Sequence, residues 1–217
     1  MSDATESKVW ILAGLPAPLA EILEKQLTQD GHQVVRATPN SDGASNPTYD
    51  PGQAASWDNL FEAVGSADVV VLGITAATES ALEDMDLNAF RKDNEANLIG
   101  SFLGVQAAIK AFDGRGGKIV TLGSASARKG VTASPTLAAG SGGLAMLTRA
   151  SAVEVAGHRP HIHVNGVLSD NNALWPTGAD SDSEVGLDEI AEAVMFLGGP
   201  GADYMTGSLV PVGAPGP

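Results

Sequence analysis

The chain of 217 residues contains no cysteine. A disulfide framework, a thiolate nucleophile and a cysteine-ligated zinc site are therefore excluded. Tyrosine is also scarce: Tyr49 and Tyr204 are the only two. No run of about 18 apolar residues is present, so no membrane span is predicted. The N-terminal segment is polar and acidic, which predicts no secretion signal and favours a cytoplasmic location.

Basic side chains are few compared with acidic ones. The chain has 12 Lys and Arg residues against 26 Asp and Glu residues, a formal net charge of −14. This charge disfavours nucleic acid and an anionic membrane as partners, because both are polyanions. Hydrophobic residues make up 43 % of the chain, enough to form one packed core. We expect a single domain over 1–217, with frayed termini at 1–7 and 213–217.

Short apolar runs alternate with segments of helical periodicity along the whole chain. The runs predict buried strands at 9–13, 34–37, 68–73, 118–123, 162–167 and 208–212. The periodic segments predict helices at 19–30, 57–64, 94–112, 137–156 and 188–197. Such alternation is typical of a parallel sheet with helices on both faces.

Four segments, in this order, resemble the short-chain dehydrogenase/reductase family over about 9–213. They read Asn-Leu-Ile-Gly at 97–100, Gly-Lys-Ile-Val-Thr-Leu-Gly-Ser at 117–124, Val-Asn-Gly-Val at 164–167 and Tyr-Met-Thr-Gly at 204–207. The resemblance implies the α/β class: a Rossmann-like, doubly wound parallel sheet in three layers.

The resemblance also implies a catalytic tetrad of Asn, Ser, Tyr and Lys, in which the tyrosine exchanges a proton with the substrate oxygen. Asn97 and Ser124 stand at the first two positions. The tyrosine position is Leu137 and the lysine position is Ser141. A missing proton donor lowers a rate by roughly 10²- to 10⁴-fold. We therefore interpret Asn97 and Ser124 as remnants of a catalytic site that is no longer intact.

The cofactor signals of the family are also weak. Its phosphate loop is Thr-Gly-x-x-x-Gly-x-Gly, whereas 13–20 reads Ala-Gly-Leu-Pro-Ala-Pro-Leu-Ala, which keeps only Gly14. Pro16 and Pro18 have no N–H to donate to a phosphate. Thr38 stands where an acidic residue would bind the ribose of NAD. These features predict no bound nicotinamide cofactor, and no metal site is predicted.

Two parts of the family's fold are predicted to be reduced. The interval 38–50 is too short for a helix and its connections, so one helix of the first half is expected to be missing. The interval 171–187 is short for the two-helix lid that the family carries over its substrate.

The leading hypothesis from these losses is a non-catalytic subunit that pairs with and supports an active dehydrogenase or reductase subunit. In the family, dimers bury the helices that correspond to 94–112 and 137–156, and both are rich in small residues here. We expect a hetero-oligomer, such as a heterotetramer, with a homo-oligomer left open. In this respect the chain is similar to the inactive subunits of heteromeric dehydrogenases of the family, such as one that acts on a hydroxybenzylsuccinyl thioester.

Two alternatives remain. One is a cofactor-independent lyase, dehydratase or isomerase built in the old cleft. The other is an atypical NAD(P)-dependent oxidoreductase with a different proton donor.

Overall fold

A computed structural model describes residues 6–39, 46–73, 77–112, 114–159, 161–170, 174 and 185–213. Most of the segments predicted to fray and most of the predicted lid lie outside the described residues. Within these ranges no helix is both long enough and apolar enough to cross a membrane. The cytoplasmic location stays a prediction.

Six parallel strands form one sheet in the order β2-β1-β3-β4-β5-β6. The strands are β1 (Val9–Ala13), β2 (Gln33–Ala37), β3 (Val69–Gly73), β4 (Gly117–Ser124), β5 (Ile162–Ser169) and β6 (Leu209–Val212). The first five strands in this list follow the Rossmann order 3-2-1-4-5-6 without its outermost strand, and β6 adds one strand beyond β5. In place of the outermost strand, a single parallel bridge joins Thr38 to Thr48. Among the described residues between β2 and the next helix none is helical.

Helices cover both faces of the sheet and make the three predicted layers. They are α1 (Ala17–Gln29), α2 (Ala54–Val64), α3 (Leu87–Asn94), α4 (Gly100–Ala111), α5 (Ser126–Lys129), α6 (Pro135–His158) and α7 (Leu187–Gly198). Side chains of β1 alternate between two apolar clusters: Trp10 and Leu12 pack with α1 and α7, whereas Ile11 and Ala13 pack with α2 and α4. The alternation follows from the two-residue period of a strand. The predicted fold class is confirmed.

The helix predicted over 94–112 differs in detail. A π-helical turn over Glu95–Ile99 separates α3 from α4. A π-turn accommodates one extra residue within a helix and rotates the side chains that follow it. The apolar spacing after Leu98 is helical, so this interruption leaves no clear trace in the periodicity.

An ion pair between a buried lysine and a half-exposed aspartate links the amino-terminal edge of the sheet to the turn after α7. Lys118, at the start of β4, is 7 % exposed. Its ammonium donates to the carbonyl of Gly199 and lies 2.6 Å from Asp203 Oδ1. The hydrogen bond from Lys118, together with its positive charge, lowers the pKa of Asp203 below its ordinary value of 3.8.

This pair predicts a small pH-dependent term in stability. Folding lowers the pKa of Asp203, so at a pH between its folded and unfolded pKa values the unfolded chain binds more protons than the folded one. The free energy of unfolding is therefore larger above this pH range than below it. Asp203→Asn is expected to lower the free energy of unfolding at pH 7 by less than about 1 kcal/mol, since the carboxylate is half exposed. In thermal unfolding between pH 7 and pH 3, the gap between wild type and variant should close as the pH falls below 3.8. A gap that stays constant over that range would contradict the assignment.

Candidate active site

The carboxyl ends of β4 and β5 lie side by side and carry the residues that the resemblance singled out. Ser124 ends β4 and is paired in register with Ser169, which ends β5. The chain beyond Ser124 stays attached, because the N–H of Ala125 donates to the carbonyl of Ser169 at 2.9 Å. Ligands of open α/β sheets bind outside these carboxyl ends. This edge is therefore where a ligand site is expected.

Asn97 lies in the π-helical turn and is fully buried. Its carbonyl accepts a hydrogen bond from Ser101 Oγ at 2.5 Å. On its other side it meets α6: a Cβ built on Gly140 would lie 3.3 Å from Asn97 Cβ. The turn thus directs Asn97 toward α6, one residue from Ser141.

Ser141 occupies the position of the missing lysine, and its side chain is hydrogen-bonded to the backbone of β4. Its Oγ accepts a hydrogen bond from the N–H of Ser124 at 3.0 Å. The Ser124 Oγ in turn accepts from the N–H of Ser126 at 3.1 Å. A hydroxyl that accepts one bond still has its own proton to donate. No described residue accepts that proton, so Ser124 is able to donate to a substrate oxygen.

Leu137 fills the space that the resemblance assigns to the tyrosine. It is 1 % exposed and belongs to an apolar cluster with Leu122, Leu144 and Leu174. A packed leucine supplies no acid or base for new chemistry in the old cleft. Position 137 therefore gives no support to the cofactor-independent lyase, dehydratase or isomerase.

Neither tyrosine replaces the missing one. Tyr49 is buried, with its ring centroid 4.4 Å from that of Trp57, and burial raises the pKa of its phenol. Tyr204 is fully exposed beside Asp203, at the amino-terminal edge opposite Ser124. Proton exchange at the carboxyl edge must involve another type of group.

The fold brings two charged groups to this edge that sequence reasoning did not pair. Lys129 Nζ, at the end of α5, lies 3.0 Å from Asp170 Oδ1, just beyond β5. The Asp170 side chain is 9 % exposed and that of Lys129 is 45 % exposed. Lysine and aspartate stand 41 positions apart in the sequence, and only the parallel pairing of β4 with β5 joins them.

The turn between β1 and α1 is the expected site for the pyrophosphate of a dinucleotide. Gly14 has a φ of +66° and its N–H already donates to Ala37 O at 3.2 Å. Pro16 caps α1 and Pro18 lies in its first turn, so two of the first four positions carry no N–H. A phosphate at a helix N-terminus is bound by these N–H groups. The described residues of this turn do not fit a dinucleotide held in that way.

The neighbouring end of β2 is also occupied by the chain itself. The N–H of Thr38 donates to Pro47 O, and Thr38 O accepts from the N–H of Tyr49, both at 3.1 Å. The turn packs closely on β3, because a Cβ at Gly73 would lie 2.5 Å from Gly14 O. The backbone of Thr38, at the ribose position implied by the resemblance, is therefore paired with the segment 46–50. As for metals, the described part of the chain contains no cluster of three or more His, Asp or Glu that could hold an ion.

The fold and this edge together define an α/β protein of the Rossmann type with a ligand site at the ends of β4 and β5. Residues 19–170 match the family model described as short chain dehydrogenase. The chain belongs to the short-chain dehydrogenase/reductase family. The match begins after Pro18, so the turn that does not fit a dinucleotide lies outside it.

Similar proteins are named as dehydrogenases or reductases. The trans-4-hydroxycyclohexanecarboxylate dehydrogenase of Sinomonas cyclohexanicum is 29 % identical over 68 % of this chain and 59 % of its own length. The cis-4-hydroxycyclohexanecarboxylate dehydrogenase of the same organism is 25 % identical over 98 % of this chain and 97 % of its own. A short chain dehydrogenase structure from Mycobacterium smegmatis has a TM-score of 0.83 at 20 % identity, covering 99 % of this chain and 95 % of its own, which shows the fold.

The prediction of a non-catalytic supporting subunit is wrong. It is contradicted by the relatives, which are named as dehydrogenases and reductases. The prediction treated the loss of a tyrosine at one position as the loss of activity. It did not count the polar groups that the fold collects at the same edge from elements distant in sequence.

Proposed function

We propose that the protein is an oxidoreductase that interconverts a secondary alcohol and a ketone. The hydroxyl of Ser124 carries the proposal, because it is buried at the carboxyl end of β4 and has a proton that no described residue accepts. A fixed donor at this place would bind the substrate oxygen and stabilise the negative charge that develops on it. The named relatives act on hydroxycyclohexanecarboxylates or 3-oxoacyl groups, which supports a hydroxyl or keto group as the reacting centre.

The residues around Ser124 would keep its hydroxyl in place. Ser141 holds the backbone of Ser124, and the N–H of Ser126 holds its oxygen. Asn97 packs against α6 beside Ser141. A donor whose position is fixed before the substrate arrives loses little energy in reorganisation. A nicotinamide carrier would supply the hydride in relatives of this kind, but the turn before α1 does not fit its pyrophosphate, so the assay below offers several carriers.

The test is product formation by the purified chain. The substrates are cis- and trans-4-hydroxycyclohexanecarboxylate and a 3-hydroxyacyl thioester, each with NAD⁺, NADP⁺ or an electron-accepting dye. Products are measured by mass spectrometry, so that the readout does not depend on the carrier. We expect the ketone from at least one substrate. If no combination yields a ketone above the rate of a heat-denatured sample, the proposal is wrong.

We further propose that a second subunit of the family, another copy or a related chain, docks through helices 94–112 and 137–156. Large apolar side chains are exposed there: Ile99 and Phe102 are 49 % and 46 % exposed, and Met146 and Val153 are 59 % and 78 % exposed. Met146 and Val153 stand seven positions apart, two helical turns, and therefore share one face of α6. An apolar patch shared by two helices is typical of a protein–protein interface.

Met146→Glu is expected to shift the protein from dimer or tetramer toward monomer, because a charge would be buried without a partner. Sedimentation velocity over a range of concentrations measures the change. Phe196→Glu is the matched control, since Phe196 is 50 % exposed on α7, away from this patch. A wild-type chain that sediments as a monomer at all concentrations would contradict pairing between copies. In that case, co-purification with a related subunit would show that the partner is a different chain of the family.

A further inference from the structure

Four polar groups lie on the segments that follow β4 and β5 or begin α6, and the family tetrad accounts for none of them. They are the ammonium of Lys129, the carboxylate of Asp170 and the hydroxyls of Ser126 and Ser134. Two come from α5, one follows β5 and one is at the N-cap position of α6. Ser126 is bonded directly to Ser124, because its backbone N–H donates to the Ser124 Oγ.

The ion pair is placed by the register of the sheet. Ser124 is paired with Ser169, so Asp170 lies beside Ala125, roughly one residue step of 3.3 Å beyond Ser124 along the strand direction. Lys129 Nζ is 3.0 Å from Asp170 Oδ1. The ammonium therefore lies across the ends of β4 and β5. One of its three N–H groups faces Asp170, and the half-exposed side chain has the others available to the cleft or to solvent.

The two hydroxyls are buried and have no hydrogen-bond partner among the described residues. They are Ser126 Oγ, 5 % exposed, and Ser134 Oγ, fully buried. Ser126 lies three positions before Lys129, about one turn away on α5. Buried polar groups nearly always have partners. The unpaired hydroxyl of Ser126, one turn from the ammonium, indicates a place where an oxygen atom of a ligand is received.

We infer that Lys129, held in place by Asp170, is the acid and base that exchanges a proton with the substrate oxygen, in the role that Leu137 cannot perform. The inference rests on the proposed function and adds to it the proton donor. When a hydride donor reduces the carbonyl carbon, a proton passes from Lys129 Nζ to the oxygen: an N–H bond breaks and an O–H bond forms. Solvent then returns a proton to the exposed side of Lys129. In the direction of oxidation the neutral amine accepts the hydroxyl proton.

Asp170 has a positioning role in this arrangement. Its carboxylate is nine-tenths buried and forms an ion pair with the ammonium. Holding Lys129 at this point fixes one end of a long flexible side chain. The hydroxyls of Ser124 and Ser126 would then share the developing negative charge with the ammonium.

Lys129→Arg is the decisive variant. Arginine keeps the positive charge and the pair with Asp170, but it cannot lose a proton in a protein. We expect turnover to fall by roughly 10²- to 10⁴-fold, with the melting temperature unchanged. Lys110→Arg, an exposed lysine on α4, is the matched control and should behave like wild type.

A second readout does not depend on turnover. 4-Nitrophenol is the probe, because its ionised form has a distinct absorption and resembles the oxyanion. Wild type and Lys129→Arg should both favour the bound phenolate, since both provide a positive charge. Lys129→Met should not, and because it removes the ammonium from a buried carboxylate it is made together with Asp170→Asn to protect the fold.

The outcomes separate the inference from the proposed function. In one outcome the wild type shows no turnover but favours the phenolate, and the Lys129→Met/Asp170→Asn variant does not favour it. The proposed function then fails, while the assignment of Lys129 as the charged group that faces the ligand oxygen is supported. If wild type turns over and Lys129→Arg is equally fast, the proposed function stands and the inference is overturned. A wild-type protein that does not change the ionisation of the probe also overturns it.

Discussion

Replacing Leu137 by alanine is expected to lower the free energy of unfolding by about 2–5 kcal/mol. Leu137 is 1 % exposed and packs in one cluster with Leu122, Leu144 and Leu174. Removing a buried leucine side chain loses its transfer free energy and leaves a cavity that the neighbours fill only in part. Urea-induced unfolding, followed by circular dichroism, measures the change. The expected loss is large because the family's tyrosine position here is a core position.

The control is Leu82→Ala, in which a leucine that is 76 % exposed is shortened in the same way. Its free energy of unfolding should stay within about 0.5 kcal/mol of wild type. If Leu137→Ala were as mild as this control, the side chain at 137 would border open space rather than fill it.

Replacing Ser124 by alanine is expected to lower kcat by roughly 10²- to 10³-fold on whichever alcohol the wild type oxidises. The change removes the one hydroxyl at the end of β4 whose proton is free for a substrate oxygen. Loss of a single fixed donor to a developing oxyanion has an effect of this size. Because the interaction is strongest in the transition state, kcat should fall far more than KM rises.

Ser151→Ala is the matched control, since Ser151 is also buried at 8 % exposure but lies ten positions beyond Ser141 along α6. It should leave kcat unchanged. Melting temperatures of both variants test for a general loss of structure. A Ser124→Ala protein that keeps the wild-type kcat would remove the observation on which the proposed oxidoreductase rests.

The sheet could be predicted from the sequence to within two residues at each end of each strand. The strand at 9–13 is an example, because an apolar run that ends at a glycine has few other structures open to it. The helix over 94–112 could not be predicted in detail. A π-turn at Glu95–Ile99 changes the register of the helix, but the spacing of the apolar residues around it hardly changes.

The candidate site was predicted in part. The positions of Asn97, Ser124 and Ser141 follow from the spacing of the family motifs, and the structure brings them together around the end of β4. The pair of Lys129 with Asp170 was missed, since it depends on which strands are neighbours and on the path of α5. Weighing Leu137 without that pair led to the wrong prediction of a non-catalytic subunit.

The reaction can be tested most directly with a secondary alcohol that carries deuterium on the carbon bearing the hydroxyl. An oxidoreductase breaks this carbon–deuterium bond, so the ketone product lacks the label at that carbon and the labelled substrate reacts more slowly than the unlabelled one. We predict both results, measured by mass spectrometry of the product. A product that keeps the deuterium on that carbon, as elimination of water would leave it, contradicts the assignment of the protein as an oxidoreductase.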